Sequence, residues 1–261
     1  MNIDTAVNQL QYFFINTFLI FSALASFSDI TIFTIMSHKK RHIWQETLPT
    51  ISHYQGVYTV EHVRDFERET EHAAKQHFLT MDIAIDHITW CTLYQSLFEY
   101  KNLLAHYMIW FHIKNPDTNE SQEIILSIEA RRPEWDNYSL WKGIIPHMYD
   151  IIYIWGTKRD LVGLRTTIWK EPLSSHTMAA SWKQAQQLFE YFAHRTNSLI
   201  HTPLSYHAIW YNCLTDLHAG LHTTLKKLSK YTVWTVLARW YLGYCQKKWV
   251  LISSQEAENH N

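Results

Sequence analysis

The 261-residue chain is 47% hydrophobic and 15% aromatic, with only six glycines and six prolines, which excludes a disordered or collagen-like protein. Its 23 basic and 24 acidic residues give a formal net charge of -1, which provides no general electrostatic attraction to nucleic acid. We therefore expect no nucleic-acid partner. Length and composition predict one packed domain with an N-terminal appendage.

Residues 10–28 are an uncharged stretch, long enough to span a bilayer and similar to the core of a signal peptide. Ala23 and Ala25, on either side of Leu24, would form a small-x-small cleavage site, but no Lys or Arg precedes the stretch and a cationic run follows it. As a membrane anchor it would therefore leave the main domain in the cytoplasm. A buried or interfacial helix, or a translation start at Met36, are alternatives. We assign residues 1–36 as signal or anchor and 37–261 as the main domain.

The charged stretch at 63–78 predicts a surface helix or an extended arm. After it, segments rich in β-branched and aromatic residues at 87–97, 103–113 and 123–131 predict three strands. The polar turn between the last two predicts a hairpin.

A second hairpin is predicted from residues 149–155 and 161–166, around Gly156. After Ser181 the pattern becomes helical, with apolar or small residues at steps of three and four. These positions are Ala185, Leu188, Phe189, Phe192 and Thr196. Strands first and helices afterwards indicate an α+β fold, with packed helices on an antiparallel sheet.

A further helix is predicted from Cys213, because Leu214, Leu217, Leu221, Leu225 and Leu228 recur at helical spacing. Asn212 is a good N-cap, although Thr215 stands where a capping box expects Glu or Gln. Free amides and the helix dipole would favour the Cys213 thiolate. An inert packed cysteine is the alternative.

A nucleophilic thiol needs a base, and His106 lies near the start of a predicted hairpin strand. If the hairpin turns around residues 117–118, His106 faces Glu129, a carboxylate that would orient the imidazole. A surface cross-strand pair is the alternative reading.

The other cysteines, Cys91 and Cys245, form neither a CxxC pair nor a disulfide framework with Cys213. We expect only Cys213 to be activated, Cys91 to be a buried apolar group, and Cys245 to react through exposure if at all. The 17 histidines include no HExxH motif, so we expect no metal site and no cofactor.

Five segments in order resemble the Lnb N-terminal periplasmic domain family, which is itself similar to the permuted papain-like group that includes lecithin:retinol acyltransferase. The resemblance covers roughly residues 42–245. The matching segments are VEHVRDF at 60–66, AHYMIWFHI at 105–113, LSIEARRPEWDNYSLWKGI at 126–144, IIYIWGTKRDLVGLRT at 151–166 and YHAIWYNCLTDL at 206–217.

The resemblance implies a permuted papain-like cysteine fold with Cys213 as nucleophile, His106 as base and Glu129 as the orienting residue. It implies that the Cys213 sulfur lies within about 5 Å of a His106 ring nitrogen, the reach that proton transfer requires in a substrate-free site. In the same matched segments, Arg131 and Arg132 would contact a lipid phosphate, or form a solvated charge pair.

Asn212 is a further candidate for substrate binding, and Arg159 and Arg165 match the family motifs as structural residues. The implied activity is acyl transfer from a phospholipid through a thioester acyl-enzyme, with the N-terminal amine of a lipoprotein as acceptor. Alternatives are a phospholipid or amide hydrolase and a noncatalytic lipid- or partner-binding module. We expect the protein at a membrane, on the periplasmic side, or in the cytoplasm if translation starts at Met36.

Overall fold

The computed structural model of the chain describes residues 45–70, 73–98, 104–133, 142–145 and 148–251. The predicted N-terminal segment, residues 10–28, lies outside these ranges. Within them, no helix combines the length and the hydropathy needed to cross a bilayer.

The described residues contain ten strands and four helices. The strands are β1 (Thr50–Tyr54), β2 (Val57–Arg64), β3 (Glu67–Arg68), β4 (Ala74–Lys75), β5 (Phe78–Ala84), β6 (Ile88–Phe98), β7 (Leu104–Lys114), β8 (Ser121–Arg131), β9 (Asp150–Gly156) and β10 (Leu173–Thr177). The helices are α1 (Lys158–Gly163), α2 (Trp182–His201), α3 (Cys213–Leu225) and α4 (Ala238–Lys247). Strands precede most of the helices, so the fold is mixed α/β and agrees with the predicted α+β class.

The main sheet has the order β1-β2-β9-β8-β7-β6-β10, with β5 also paired to β2 and β3-β4 forming a separate hairpin. Its pairs are antiparallel except that of β2 with β9, which is parallel through Arg64 and Gly156. A Cβ atom at Gly156 would lie 2.9 Å from the Arg64 carbonyl oxygen and 3.0 Å from Leu161. Glycine therefore allows these two strands and the start of α1 to approach.

The hairpin of β7 and β8 has the predicted register, with Met108 opposite Ser127 and Lys114 opposite Ser121. Hydrogen-bonded pairing ends at Met108 and Ser127. Continued beyond this pair, the same register would place Tyr107 opposite Ile128 and then His106 opposite Glu129.

The helix predicted after Ser181 is confirmed as α2, and its predicted core positions are buried. Its start has a complete capping box, in which Ser181 Oγ accepts from the Gln184 amide and Gln184 Oε1 accepts from the Ser181 amide. The leucines of α3 are also buried as predicted, which packs the Cys213 helix against the sheet.

The second predicted hairpin is wrong in its second half. Residues 149–155 lie in β9, but residues 161–166 are helical, in α1 and the π-helical turn that follows it. Thr157 caps α1 through the Asp160 amide, and Asp160 is fully buried against Arg64 and Arg68. This ion-pair cluster, made with residues far along the chain, fixes a helix where local propensity favours a strand.

For residues 63–78 the sequence predicted a surface helix or an extended arm; the helix is wrong and the extended conformation is found. The described part of this stretch is extended, with the end of β2, the β3-β4 hairpin and the start of β5. Its arginines, Arg64 and Arg68, point to Asp160 rather than to solvent, which explains why a charged sequence is held in strands.

The two faces of the main sheet differ in what covers them. On the helix face, α2, α3 and α4 pack on apolar side chains such as Leu126 and Ile128. The opposite face, here called the α1 face, has a smaller apolar cluster and buried polar groups. The cluster is Tyr94, Met108, Trp110, Ile125, Ile152, Ile154 and Leu161.

Candidate active site

Cys213 is the first residue of α3 and is half-buried. Asn212 caps the helix, with its Oδ1 accepting from the amides of Leu214 and Thr215 at 2.9 and 2.8 Å. Thr215 Oγ1 accepts from the Asn212 amide at 2.9 Å, so the capping box is complete. The expectation of an incomplete box was wrong, because a threonine hydroxyl serves in place of the Glu or Gln side chain.

The side chain of Asn212, predicted to bind substrate, is buried and uses both of its polar atoms at the helix start. Its Nδ2 donates to the Ala208 carbonyl at 2.8 Å and to the Thr235 carbonyl at 3.4 Å. These contacts fix the position of Cys213 relative to the loops on either side of α3.

His106 is the first member of a buried chain of hydrogen bonds on the α1 face. Its Nε2 lies 2.8 Å from Ser127 Oγ, and Ser127 Oγ donates to Glu129 Oε1 at 3.0 Å. Since the single Ser127 proton goes to Glu129, the Nε2 atom of His106 carries a proton and donates it to Ser127. The neutral imidazole therefore has its free lone pair on Nδ1, the nitrogen that can act as a base.

Glu129, the predicted orienting residue, acts on His106 through Ser127. Its carboxylate also lies 3.6 Å from Nη2 of Arg165, and Nη1 of the same arginine lies 3.4 Å from the Glu171 carboxylate. Ser96, paired with His106 across β6 and β7, donates to Glu171 at 2.6 Å. A network of charges and hydroxyls thus surrounds the imidazole.

The pKa values of this network follow from burial and from its arginines. Burial, helped by the Arg165 charge and opposed by Glu129, lowers the pKa of His106 to about 3. Burial alone would raise the pKa of Glu129, but the positive charges of Arg64 and Arg165 hold it at about 2. At neutral pH, Glu129 is a carboxylate and His106 is uncharged.

The pKa of the Cys213 thiol is raised to about 11 by burial, against the lowering influence of Arg165 and of the amides at the start of α3. The expected favouring of a thiolate is therefore wrong for the resting protein. Helix-start amides and Arg165 do favour the charged form, but the loss of water around the sulfur outweighs them.

Cys213 and His106 approach the same network from different sides. His106 lies on the α1 face, whereas α3 packs on the helix face, yet Arg165 and Glu129 both act on the Cys213 pKa. Among the described residues, no hydrogen bond joins the Cys213 thiol to the His106 imidazole. A sulfur–nitrogen distance of about 5 Å remains a prediction, set by the reach of proton transfer.

The other two thiols are fully buried. Cys91 contacts Met178 and is buried as expected, and burial raises its pKa to about 12. Burial also raises the pKa of Cys245 to about 12, and the exposure expected for this thiol is wrong. Cys245 lies on the inward side of α4, where the helix packs on the core.

Arg131 and Arg132, the predicted phosphate contacts, lie at the end of β8 beside residues 45–46. Arg131 donates to the carbonyls of Gln45 and Glu46 at 3.0 and 3.3 Å, and the Arg132 amide donates to Gln45 Oε1 at 2.7 Å. These contacts hold the segment before β1 against β8. Binding of a lipid phosphate by either arginine stays a prediction.

Four residues of the network were not predicted to be functional from the sequence: Ser96, Ser127, Arg165 and Glu171. No role was predicted for Ser127, and Arg165 was expected to be structural only. Alternation along β8 was the signal for Ser127. Arg165 follows a helix that was predicted as a strand, so its direction could not be foreseen. Arg159, the other arginine read as structural, pairs on the surface with Asp65 and Glu67.

Metal-ligating side chains do not gather in the described part of the chain, where no group of three or more His, Cys, Asp or Glu residues could hold an ion. The fold and the network define a mixed α/β domain with a cysteine at a capped helix start and a buried His-Ser-Glu chain nearby.

The sequence profile of the Lnb N-terminal periplasmic domain matches residues 73–239, more than half of the chain. The chain belongs to this family of periplasmic domains. Its match includes His106, Ser127, Glu129, Arg165 and Cys213. No curated protein and no solved structure gives a significant match.

Proposed function

We propose that the protein is a cysteine-dependent acyltransferase acting on phospholipid acyl esters, with Cys213 as nucleophile and His106 as general base. The observation that carries the proposal is the buried His106-Ser127-Glu129 chain, whose last member also acts electrostatically on the Cys213 thiol. This pattern resembles the permuted papain-like group, in which a histidine on a strand precedes the cysteine at a helix start.

The uncharged resting state favours proton transfer during attack rather than a preformed ion pair. As the Cys213 sulfur bonds to the ester carbonyl carbon, its proton passes to Nδ1 of His106. Ser127 and the Glu129 carboxylate stabilise the imidazolium that forms. In this mechanism the amide of Cys213 at the helix start donates to the developing oxyanion, a contribution of about 3 to 4 kcal/mol per donor in comparable sites.

Collapse of the tetrahedral intermediate breaks the bond between the carbonyl carbon and the lysophospholipid oxygen, which takes the proton from His106. The acyl group is left as a thioester on Cys213. The N-terminal amine of a lipoprotein then attacks the thioester, giving an amide and restoring the thiol. Water as the acceptor would make the protein a phospholipid hydrolase.

A noncatalytic lipid-binding module is the second candidate. It is favoured by the raised Cys213 pKa of about 11, and by the lack of a hydrogen bond between Cys213 and His106 among the described residues. In that case the polar network would serve stability alone.

Trapping the acyl-enzyme separates the two candidates. The full chain is incubated with phospholipid, quenched in acid, and mapped by mass spectrometry for a hydroxylamine-labile acyl group. We expect the adduct on Cys213 and none in Cys213→Ser. No adduct on Cys213 across several lipid conditions, or an adduct confined to Cys91 or Cys245, would reject the enzyme.

Variants of the polar chain test its role. His106→Gln should slow acylation by about 100- to 10,000-fold, the usual contribution of a general base, and Ser127→Ala by less. Circular dichroism and the urea midpoint show whether each variant is folded. A folded His106→Gln protein with an unchanged acylation rate would remove His106 from the mechanism.

A further inference from the structure

Arg165 lies in a short segment to which the proposed mechanism assigns no role. The segment begins with the π-helical turn Leu164–Ile168, a rare conformation that is frequent at functional sites. Lys170 then takes a left-handed backbone conformation, with φ 55°, and the Glu171 amide donates to the Arg165 carbonyl at 2.8 Å. We call residues 164–171 the Arg165 turn.

The Arg165 turn holds the side chain of its buried arginine at two points. The guanidinium lies over the Trp169 ring, 5.2 Å from the ring centroid. Its Nη1 donates to Glu171 Oε2 at 3.4 Å, and Ser96 Oγ of β6 donates to the same oxygen at 2.6 Å. The turn and β6 together therefore fix where the guanidinium lies.

The other terminal nitrogen of Arg165 extends the hydrogen-bond chain of His106. Nη2 lies 3.6 Å from Glu129 Oε1, the oxygen that accepts from Ser127 Oγ at 3.0 Å. Ser127 Oγ in turn lies 2.8 Å from His106 Nε2. The contacts run without a break from the guanidinium to the imidazole.

The charge on Glu129 decides the direction of this chain. A carboxylate only accepts hydrogen bonds, so Ser127 gives its proton to Glu129 and accepts from His106 Nε2. A protonated Glu129 would instead donate to Ser127, whose own proton would then point at Nε2. The imidazole proton would move to Nδ1, and that nitrogen would no longer be a base.

We propose that Arg165 is a positioning residue for His106, because its ion pair with Glu129 keeps that carboxylate an acceptor and so keeps the imidazole proton on Nε2. The role rests on the proposed function, in which the free lone pair on Nδ1 takes the Cys213 proton. Arg165 acts on the base through Glu129 and Ser127.

Other arginines interact with the charge of Glu129, but their contacts differ. Arg64 of β2 and Arg68 of β3 both act on it electrostatically. Each donates through Nε to Asp160, at 2.6 and 2.9 Å, so their charge is shared with a different buried carboxylate. Arg165 lies within ion-pair distance of Glu129 itself.

Loss of the Arg165 charge should make the pair of His106 and Glu129 easier to protonate. Burial and then Arg165 lower the pKa of His106, against Glu129. Burial raises the pKa of Glu129, whereas Arg64 and then Arg165 lower it. The Cys213 thiol adds no charge at neutral pH, because burial raises its pKa to about 11. Without Arg165, both pKa values of the pair should rise.

The ring nitrogens of His106 report this change without any substrate. The full chain is labelled with 15N-histidine, and the His106 signals are identified by their loss in His106→Gln. In the parent chain Nε2 should stay protonated, and Nδ1 unprotonated, down to about pH 4, since the pKa values of His106 and Glu129 are about 3 and about 2. In Arg165→Gln the signals should change about one to three pH units higher, the usual effect of an arginine beside a carboxylate.

A surface arginine provides the matched control. Arg159 pairs with Asp65 and Glu67, and Arg159→Gln should leave the His106 signals as they are in the parent chain. A parent imidazole with its proton on Nδ1, a parent-like titration in Arg165→Gln, or an equal change in Arg159→Gln would overturn the proposal.

Two further variants keep the test decisive if Arg165→Gln does not fold, as judged by circular dichroism. Arg165→Gln with Glu171→Gln removes one charge of each sign and should show the same raised titration. Arg165→Lys keeps a positive charge and should return the titration toward that of the parent chain. A folded double variant that titrates like the parent, or Arg165→Lys titrating as high as the double variant, would count against the role.

Thioester formation on Cys213 is measured separately. In Arg165→Gln its rate should fall on acidification at the pH where the His106 signals change. If the parent chain forms no thioester but the His106 signals respond as expected, the placement of the proton by Arg165 stands and the proposed enzyme fails. If the parent forms the thioester and His106 titrates alike in both proteins, the enzyme stands and the positioning role fails.

Discussion

The two faces of the sheet are stabilised by different interactions, apolar packing on the helix face and buried ion pairs on the α1 face. The helix face is an apolar core of interlocking side chains, in which leucines of α3 and aromatics of α2 meet the strands. The α1 face buries charges as well, including Arg64, Asp160 and Arg165. On the helix face, we expect a substitution to lower the free energy of unfolding in proportion to the side-chain volume it removes. On the α1 face, we expect a large loss whenever a buried charge is left without its ion-pair partner.

Removing a partner on the α1 face should give the largest loss of stability. Asp160→Asn leaves the buried guanidiniums of Arg64 and Arg68 without their shared carboxylate. We expect the free energy of unfolding to fall by about 3 to 5 kcal/mol, measured by urea denaturation. Asp82→Asn, at an exposed aspartate that accepts from Thr59, is the control and should change little. Similar losses in both variants would show that burial does not distinguish them.

The pH dependence of stability should also be dominated by the α1 face. In the unfolded chain His106 takes up a proton below about pH 6.5, whereas in the folded chain it does so only near pH 3. Stability is therefore lost as the pH falls through this window, and Glu129, with its pKa held at about 2, adds to the loss below about pH 4.5.

His106→Gln should remove part of this acid sensitivity, about 2 to 4 kcal/mol between pH 7 and pH 4. Unfolding free energies measured across that range provide the test. His53→Gln, at an exposed histidine of β1, serves as control. An identical pH slope in His106→Gln and the parent chain would contradict the buried, uncharged imidazole.

The helix face can be tested by a pair of glycines. A Cβ at Gly220 would lie 2.6 Å from the ring of Phe192, so Gly220→Ala should destabilise the protein by about 1 to 3 kcal/mol. In Gly243→Ala no atom lies within 4 Å of the new Cβ, and helix propensity should stabilise α4 by about 0.5 to 1 kcal/mol. Effects of the same sign in thermal unfolding would refute close packing of α2 on α3.

The pKa of Cys213 is raised by burial on the helix face and lowered by Arg165 on the α1 face. The rate at which the thiol reacts therefore reports which of these two effects is larger. Alkylation by iodoacetamide should modify Cys213 faster than Cys91 or Cys245, with a rate that rises through pH 10 because the pKa is about 11. Arg165→Gln should slow it several-fold by removing the nearby positive charge. Since His106 is uncharged, His106→Ala should not slow it. An alkylation rate that levels off near neutral pH would show that Cys213 is already a thiolate there. That outcome would contradict the raised pKa of the buried thiol.

Sequence periodicity predicted the helix face well and the α1 face only in part. The helices α2 and α3 and the register of β7 with β8 follow from apolar spacing and strand alternation, which also predict that His106 and Glu129 lie close together. The helix after β9 and the role of Arg165 do not. They depend on ion pairs between residues far apart in sequence, for which the local pattern carries no signal.

The cluster of Arg64 and Asp160 has a consequence for how the protein unfolds. Its members are 96 positions apart, and the single parallel contact of β2 with β9 joins the same two regions. Closing so long a loop has an entropic cost that must be met before the contacts within it can form. We therefore expect these contacts to form after the transition state for folding. Weakening them should then leave the folding rate nearly unchanged and speed unfolding. The buried arginines would thus set how long the folded chain lasts rather than how quickly it forms.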